Sequence, residues 1–154
     1  MRYHGVAIAV DDVNASRKFY EDIFGMDLFQ DYGICVAFAG GLSLQQEFDR
    51  LVGVPKDKMI KGSNNMELYF EEDDLDAFLK KLENYPGINY LHSVKEQPWG
   101  QRTIRFYDPD RHIIEVGENL KSVIGRFFSM GMSMDEISKK MGVSAADLEK
   151  LLNS

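Results

Sequence analysis

One order of elements occurs twice in this chain, and it limits the fold more than any other feature. Residues 3–10 (YHGVAIAV) have the β pattern. Asp11 or Asp12 can cap the helix that follows, whose apolar side is Phe19, Tyr20, Ile23 and Phe24, and Gly25 stops it. Strands are then expected in MDLFQDYG, ICVAF and GLSLQQEF. Residues 50–64 carry Gly, Pro and Lys without a period, which predicts a connector with one helical turn. The pattern then restarts. MELYFEE is a strand, and Asp73 or Asp74 caps a second helix with Leu75, Phe78, Leu79 and Leu82 at helical spacing. Pro86-Gly87 breaks it, and strands follow in INYLHSV, QRTIRFY and HIIEVGE. The copies align at two anchors. Asp12-Val13 matches Asp74-Leu75 at an offset of 62, and Gln45 matches Glu115 at an offset of 70. The expected fold class is α+β, built from two βαβββ modules.

Residues 119–154 differ in character. LKSVIGRFFSMGMSMDEISKKMGVSAADLEKLLNS predicts two or three helices, with Ser133 or Asp135 as one cap, Gly142 as a stop and Ser144 as the last cap. The predicted organisation is one domain over 1–118, with modules of about 1–50 and 64–118, and a helical extension over 119–154. The second half of that extension has helix-turn-helix spacing. Its last helix, however, carries Asp147 and Glu149 against Lys150, whereas a recognition helix meets phosphates with cations. A small helical cap on the domain or on a partner subunit is the favoured reading, with Ile124, Phe127, Phe128, Ile137, Met141 and Leu148 needing a surface to cover.

Charge and cysteine narrow the class. A net charge of −7 argues against a general nucleic-acid binder. No apolar run approaches the roughly 20 residues that span a bilayer. MRYHGVAIAVDDV has the pattern of a first strand and not of a signal peptide. The single cysteine, Cys35, excludes an internal disulfide, fits a cytoplasmic protein and lies in a strand as a small core hydrophobe.

The stretch VDDVNASRKFYEDIFGMDL is similar to a D-x-x-x-S-x-x-F-Y-x-x-x-x-G pattern. PWGQRTIRFYDPDRHIIEVGE is similar to a W-G-x-R…D-P-D-G-x-x-I-E ending, with Arg111 where glycine is usual. In these motifs and in its doubled βαβββ order, the chain over about 1–118 resembles the vicinal oxygen chelate superfamily of glyoxalase I, bleomycin-resistance proteins and extradiol dioxygenases. The resemblance implies two curled sheets forming a cleft that often holds one divalent metal, with ligands on the first and last strand of each module. Matched by position, these places are Gln45, Glu67, Glu115 and, seven residues before Asp12, Gly5. Glycine has no side-chain ligand, so the adjacent His4 is the candidate for the fourth.

Strand pleating bears on each of these. Gln45 with Ser43, Glu67 with Tyr69, and Glu115 with Ile113 each share a face opposite an apolar set. His4 instead shares a face with Val6, Ile8 and Val10, and needs a bulge to turn inward. Gln45, Glu67, Glu115 and His4 would suit Mg²⁺ or Mn²⁺, or with the imidazole Ni²⁺ or Zn²⁺. They lack the two histidines of the usual Fe(II) triad. The carboxylates also admit an account without metal: a proton-sharing pair, or pairing with Arg102 or Arg105. Weaker candidates for substrate contact are Tyr69, His92, Trp99 and Arg102, while Asp108 and Asp110 most simply form a tight turn.

Three functions stay open at this point. The first is a metal-dependent glyoxalase-like lyase or isomerase that stabilises an enediolate-type intermediate, with Glu115 and Glu67 as catalytic carboxylates. The second is a metal-free protein of the same fold that binds a drug or metabolite. The third is a ligand sensor that signals through its helical tail. The resemblance also implies a homodimer.

Overall fold

Asp12 is the residue that starts the first helix. Its carboxylate accepts from the N–H groups of Asn14 and Ala15, and α1 runs Val13–Phe24 until Gly25 closes it in a left-handed turn. The computed structural model describes residues 1–153, and there every sequence-predicted strand is present. The first sheet consists of β1 (Val6–Ala9), β2 (Leu28–Asp31), β3 (Cys35–Phe38) and β4 (Leu42–Gln45), in the order β1-β4-β3-β2. β1 pairs parallel with β4, and β3 pairs antiparallel with both β4 and β2. The connector holds two helical pieces: α2 (Phe48–Val52) and a 3-10 turn at Lys56–Lys58.

The second sheet repeats this topology. β5 (Glu67–Glu72), β6 (Asn89–Glu96), β7 (Arg102–Tyr107) and β8 (Ile113–Glu118) lie in the order β5-β8-β7-β6. Asp74 caps α3 (Leu75–Glu83) by accepting from the Ala77 N–H. The α+β class and the doubled module are therefore what the chain adopts. The tail forms three helices: α4 (Leu120–Ser129), α5 (Met134–Met141) and α6 (Ala145–Asn153). Ser133 caps α5 through a reciprocal capping box with Glu136, and Gly142 ends it. Ser144 accepts from the Asp147 N–H at the start of α6.

The chain divides into two compact units, Met1–Met66 with Tyr107–Ile113, and Glu67–Phe106 with the residues from Ile114 on. The first unit packs α1 on its sheet through Phe19, Tyr20, Ile23, Val36, Phe38 and Leu44, all buried. The second packs α3 on its sheet through Leu75, Phe78 and Leu82 with Ile104, Phe106 and Ile114. Its tail helices also close on one another. Val123, Ile124, Phe127, Ile137, Met141 and Leu148 form their own buried cluster, whereas Phe128 stays 42% exposed. Phe127 also reaches Gly100, where a side-chain Cβ would stand 2.2 Å from its ring.

The first unit is knitted by a turn between β7 and β8. Asp108 and Asp110, both nearly inaccessible, flank Pro109. Asp108 accepts from the Tyr20 hydroxyl at 2.8 Å, and from the His112 and Asp110 backbone N–H groups. Asp110 accepts from the Asp11 N–H and the Ser16 hydroxyl, both at 2.9 Å. The pair therefore does more than make a tight turn, because it fixes the first turns of α1. Burial, with the charge of Asp108 beside it, pushes the Tyr20 hydroxyl well above the usual phenol range, so Tyr20 remains a donor.

Gly5 is explained by close approach. It has φ +145°, and a Cβ there would fall 1.8 Å from the Gly41 carbonyl oxygen. Only a residue without a side chain lets the chain enter β1 beside Gly41. The substitution Gly5→Ala is expected to destabilise the protein by about 3 kcal/mol or more, through combined strain and overpacking. Urea denaturation at neutral pH would measure it, with Gly33→Ala, where a Cβ meets nothing within 4 Å, costing less.

Candidate functional site

In the second unit, β5, β7 and β8 bring three charged side chains together. Glu67 begins β5, Glu115 sits in β8 and Arg105 lies on β7, in a sheet where β8 separates β5 from β7. Arg105 Nε donates to Glu67 Oε2 at 2.7 Å, and its Nη2 pairs with Glu115 Oε2. Glu115 is only 5% exposed, so its charge needs a partner, and the guanidinium supplies one. His92 of β6 completes the group. Its Nε2 lies 3.4 Å from Arg105 Nη1 and its Nδ1 lies 2.7 Å from the Ser93 carbonyl. A carbonyl only accepts, so Nδ1 carries the proton and Nε2 accepts from the arginine.

Tyr69 and Trp99 belong to a second polar chain of the same unit. Gln101, 3% exposed, ties them: its Oε1 accepts from Trp99 Nε1 at 3.0 Å and its Nε2 donates to the Tyr69 hydroxyl at 2.9 Å. Tyr69 in turn donates to Glu71. Burial raises the Tyr69 phenol above its ordinary value. The Gln101 bond pulls the other way, and Glu71 adds to the rise. Gly117 leaves the space for this arrangement, since a Cβ there would stand 2.7 Å from Gln101 Nε2. The amide of Gln101 gave no signal in the sequence, where it resembles any polar residue opening a strand.

Arg102 is placed elsewhere. Its guanidinium pairs with Asp76 of α3 at 2.9 Å and with Glu118 at 3.2 Å, and Glu118 also binds Arg126 of α4 at 2.9 Å. Burial works against the Glu118 charge, but Arg126 and Arg102 outweigh it and hold the carboxyl below its ordinary value. This anion fastens the tail to β8.

In the first unit, Gln45 is buried and its amide donates to the Gln46 carbonyl at 2.7 Å. His4 precedes β1 and is exposed. Ile8 and Val10 are buried while Ala7 is open, which is the pleat the alternation predicted. The same unit contains a pocket of about 710 Å³, whose lining includes Ala7, Ala9, Met59, Lys61 and Arg111.

A family model described as "Glyoxalase-like domain" matches residues 3–121. The chain belongs to the glyoxalase-like domain family. It falls within the glyoxalase/bleomycin-resistance/dioxygenase group, the vicinal oxygen chelate superfamily. A crystal structure of a protein of unknown function from Agrobacterium tumefaciens is 37% identical, with a TM-score of 0.67, over 77% of this chain and 94% of that one. A lactoylglutathione lyase from the same species is 26% identical, with a TM-score of 0.59, over 77% of this chain and 94% of that one. A glyoxalase/bleomycin resistance protein/dioxygenase family enzyme from Burkholderia phytofirmans is 18% identical (TM-score 0.66, 75% of this chain and 96% of that one) and shares the fold. No curated protein matches the chain significantly. Among the described residues no helix is long and apolar enough to cross a membrane.

Members of this glyoxalase-like superfamily often use a divalent metal. Glu67 and Glu115, as they are held here, do not fit one. Both carboxylates are engaged by the same guanidinium, and a metal at that point would stand against a fixed positive charge. Among the described residues, no group of three or more His, Cys, Asp or Glu side chains is arranged to hold an ion.

Two outcomes follow from these ion pairs. Arg105→Met leaves Glu115 buried without its counter-charge and is expected to cost about 3–5 kcal/mol, read by chemical denaturation. Because Glu118 has a folded pKa below its unfolded value, its contribution is present above about pH 4.5 and is lost as pH falls below that. Glu118→Gln should therefore lower the melting temperature at pH 7 and flatten the loss of stability between about pH 4.5 and 3, as followed by thermal melts across pH.

Proposed function

We propose that this chain binds a small organic molecule, a drug or a metabolite, and does so without a metal at Glu67 and Glu115. The observation that carries the reading is the single guanidinium of Arg105 bound to both carboxylates. In a metal-dependent relative of this fold, two such acids would serve the ion as ligand and base. Here their charge is spent on a residue of the same sheet, which favours a fixed polar wall over a Lewis-acid site. Arg105, His92 and Glu67 then offer donors and acceptors in a set geometry, and Tyr69 and Trp99 offer aromatic surface. The pocket of the first unit has the size of ordinary ligand sites, which span roughly 300–1,000 Å³. The family resemblance supports a homodimer, and the lone cysteine a cytoplasmic setting.

A second reading is a metal-dependent lyase or isomerase, with Gln45, Glu67, Glu115 and His4 holding Ni²⁺, Zn²⁺, Mn²⁺ or Mg²⁺. Its support is the 26% identity to a lactoylglutathione lyase over nearly the whole of that chain. It requires Arg105 to release both acids.

Metal analysis separates the two. Tag-free protein, purified without chelator, is expected to carry no stoichiometric divalent ion and to show no saturable binding on titration with Ni²⁺, Mn²⁺ or Zn²⁺. It should still be stabilised against heat by members of a metabolite panel. One tightly bound ion per chain would overturn the metal-free reading.

A further inference from the structure

Three residues other than glycine have left-handed backbone among the described residues: Glu47 (φ 56°), Asn64 (φ 56°) and Arg111 (φ 68°). All three line the pocket of the first unit. Asn tolerates this conformation, whereas Glu and Arg rarely adopt it. Strain of this kind persists where the surrounding structure enforces it, and it gathers at ligand sites.

Arg111 is the most specific of the three. It follows the Asp108–Pro109–Asp110 turn, where the Arg111 N–H donates to the Asp108 carbonyl at 3.1 Å. A glycine would take that position without strain. The chain instead carries its longest cationic side chain there and makes room for it. Gly62, beside it in the lining, has no side chain, and a Cβ there would lie 3.1 Å from Arg111 Nε. The guanidinium lies over the Tyr107 ring, 5.4 Å from its centroid. Tyr107 is itself fixed, because its hydroxyl donates to Asn64 Oδ1 at 2.9 Å. A guanidinium resting over a held ring is restrained in position, and its planar fork matches a carboxylate or phosphate with two bonds.

The charges around it agree. The lining holds Arg50, Lys56, Lys61 and Arg111 against Asp11, Glu47, Asp49 and Asp110. Lys61 is engaged by Asp11 and Asp110, and Arg50 by Glu47. Asp110 is satisfied further by the Asp11 N–H and the Ser16 hydroxyl. Among the described residues, Lys56 and Arg111 have no ion pair, with Asp49 alone on the acidic side. The lining is formally balanced, four cations against four acids, and its two unpaired cations outnumber its one unpaired acid. Phe48, Met59, Ile60 and Ile113 give the same space apolar wall.

We propose that this pocket takes a small molecule with an oxyanion, carboxylate or phosphate, on an apolar body, and that Arg111 grips the oxyanion. This rests on the small-molecule-binding reading above and names the chemical class of its ligand. The test uses the full chain with three probes of one tail length, octanoate, octyl phosphate and 1-octanol, followed by calorimetric titration. The two anions are expected to bind, with 1-octanol at least about tenfold weaker. The stronger of the anions identifies the headgroup. Arg111→Gly is expected to weaken both anions at least about tenfold, to leave 1-octanol unchanged, and to melt no lower than the parent because glycine relieves the left-handed strain. Equal affinity for 1-octanol and octanoate, unchanged anion binding in Arg111→Gly, or no binding of either anion by the parent would overturn the inference. In the first of these outcomes small-molecule binding stands while the anion site falls. A stoichiometric metal, by contrast, would remove the metal-free reading and leave the Arg111 result intact.

Discussion

Two buried carboxylates flanking Pro109 are the constraint on which the first unit depends. An ionised side chain removed from water costs several kcal/mol unless its lone pairs are met, so Asp108 and Asp110 must find donors wherever the turn goes. Asp108 finds the Tyr20 hydroxyl and the backbone and ring N–H groups of His112. Asp110 finds the Asp11 N–H, the Ser16 hydroxyl and Lys61. The bonds to Asp11, Ser16 and Tyr20 run between residues about 90–100 positions apart in sequence. They hold the start of α1, and through the same turn they hold Arg111 in its left-handed conformation. The pocket wall and the helix position thus share one cause.

The second unit is organised by arginines in a comparable way. Three guanidiniums tie its acids together. Arg105 joins Glu67 to Glu115, Arg102 joins Asp76 to Glu118, and Arg126 brings α4 to Glu118. Bidentate, permanently charged groups suit this work, because a guanidinium reaches two carboxylates at once and cannot lose its charge. The consequence for function is direct. Acids that could have met a metal already have a cation, and the polar surface they make is fixed in place by its neighbours. Gly100 and Gly117 contribute by having no side chain where Phe127 and Gln101 pass.

Much of this was readable in the residues. Alternation located all eight strands, and side-chain caps at Asp12, Asp74, Ser133 and Ser144 with a glycine stop at Gly142 bounded the helices. These are local effects, set by residues within one turn or one pleat of each other. The alternating exposure along Glu67–Glu72 followed from the same period. The glycine at position 5 was legible only as a missing ligand. Its reason, the backbone of Gly41 against it, belongs to strand pairing across 36 positions.

The sequence by itself therefore determined the elements, their doubled order and the polar residues each strand presents, since these depend on near neighbours. Only the tertiary structure decided which charge meets which. Arg102 and Arg105 lie three residues apart on one strand and were equal candidates for the buried acids. An odd offset puts them on opposite faces, so one reaches Glu67 and Glu115 while the other reaches Asp76 and Glu118. The same holds for Ser16, Tyr20, Asp108 and Asp110, which looked like two separate motifs. Hydrogen bonding between distant segments depends on where the fold brings them, and no local pattern encodes that distance.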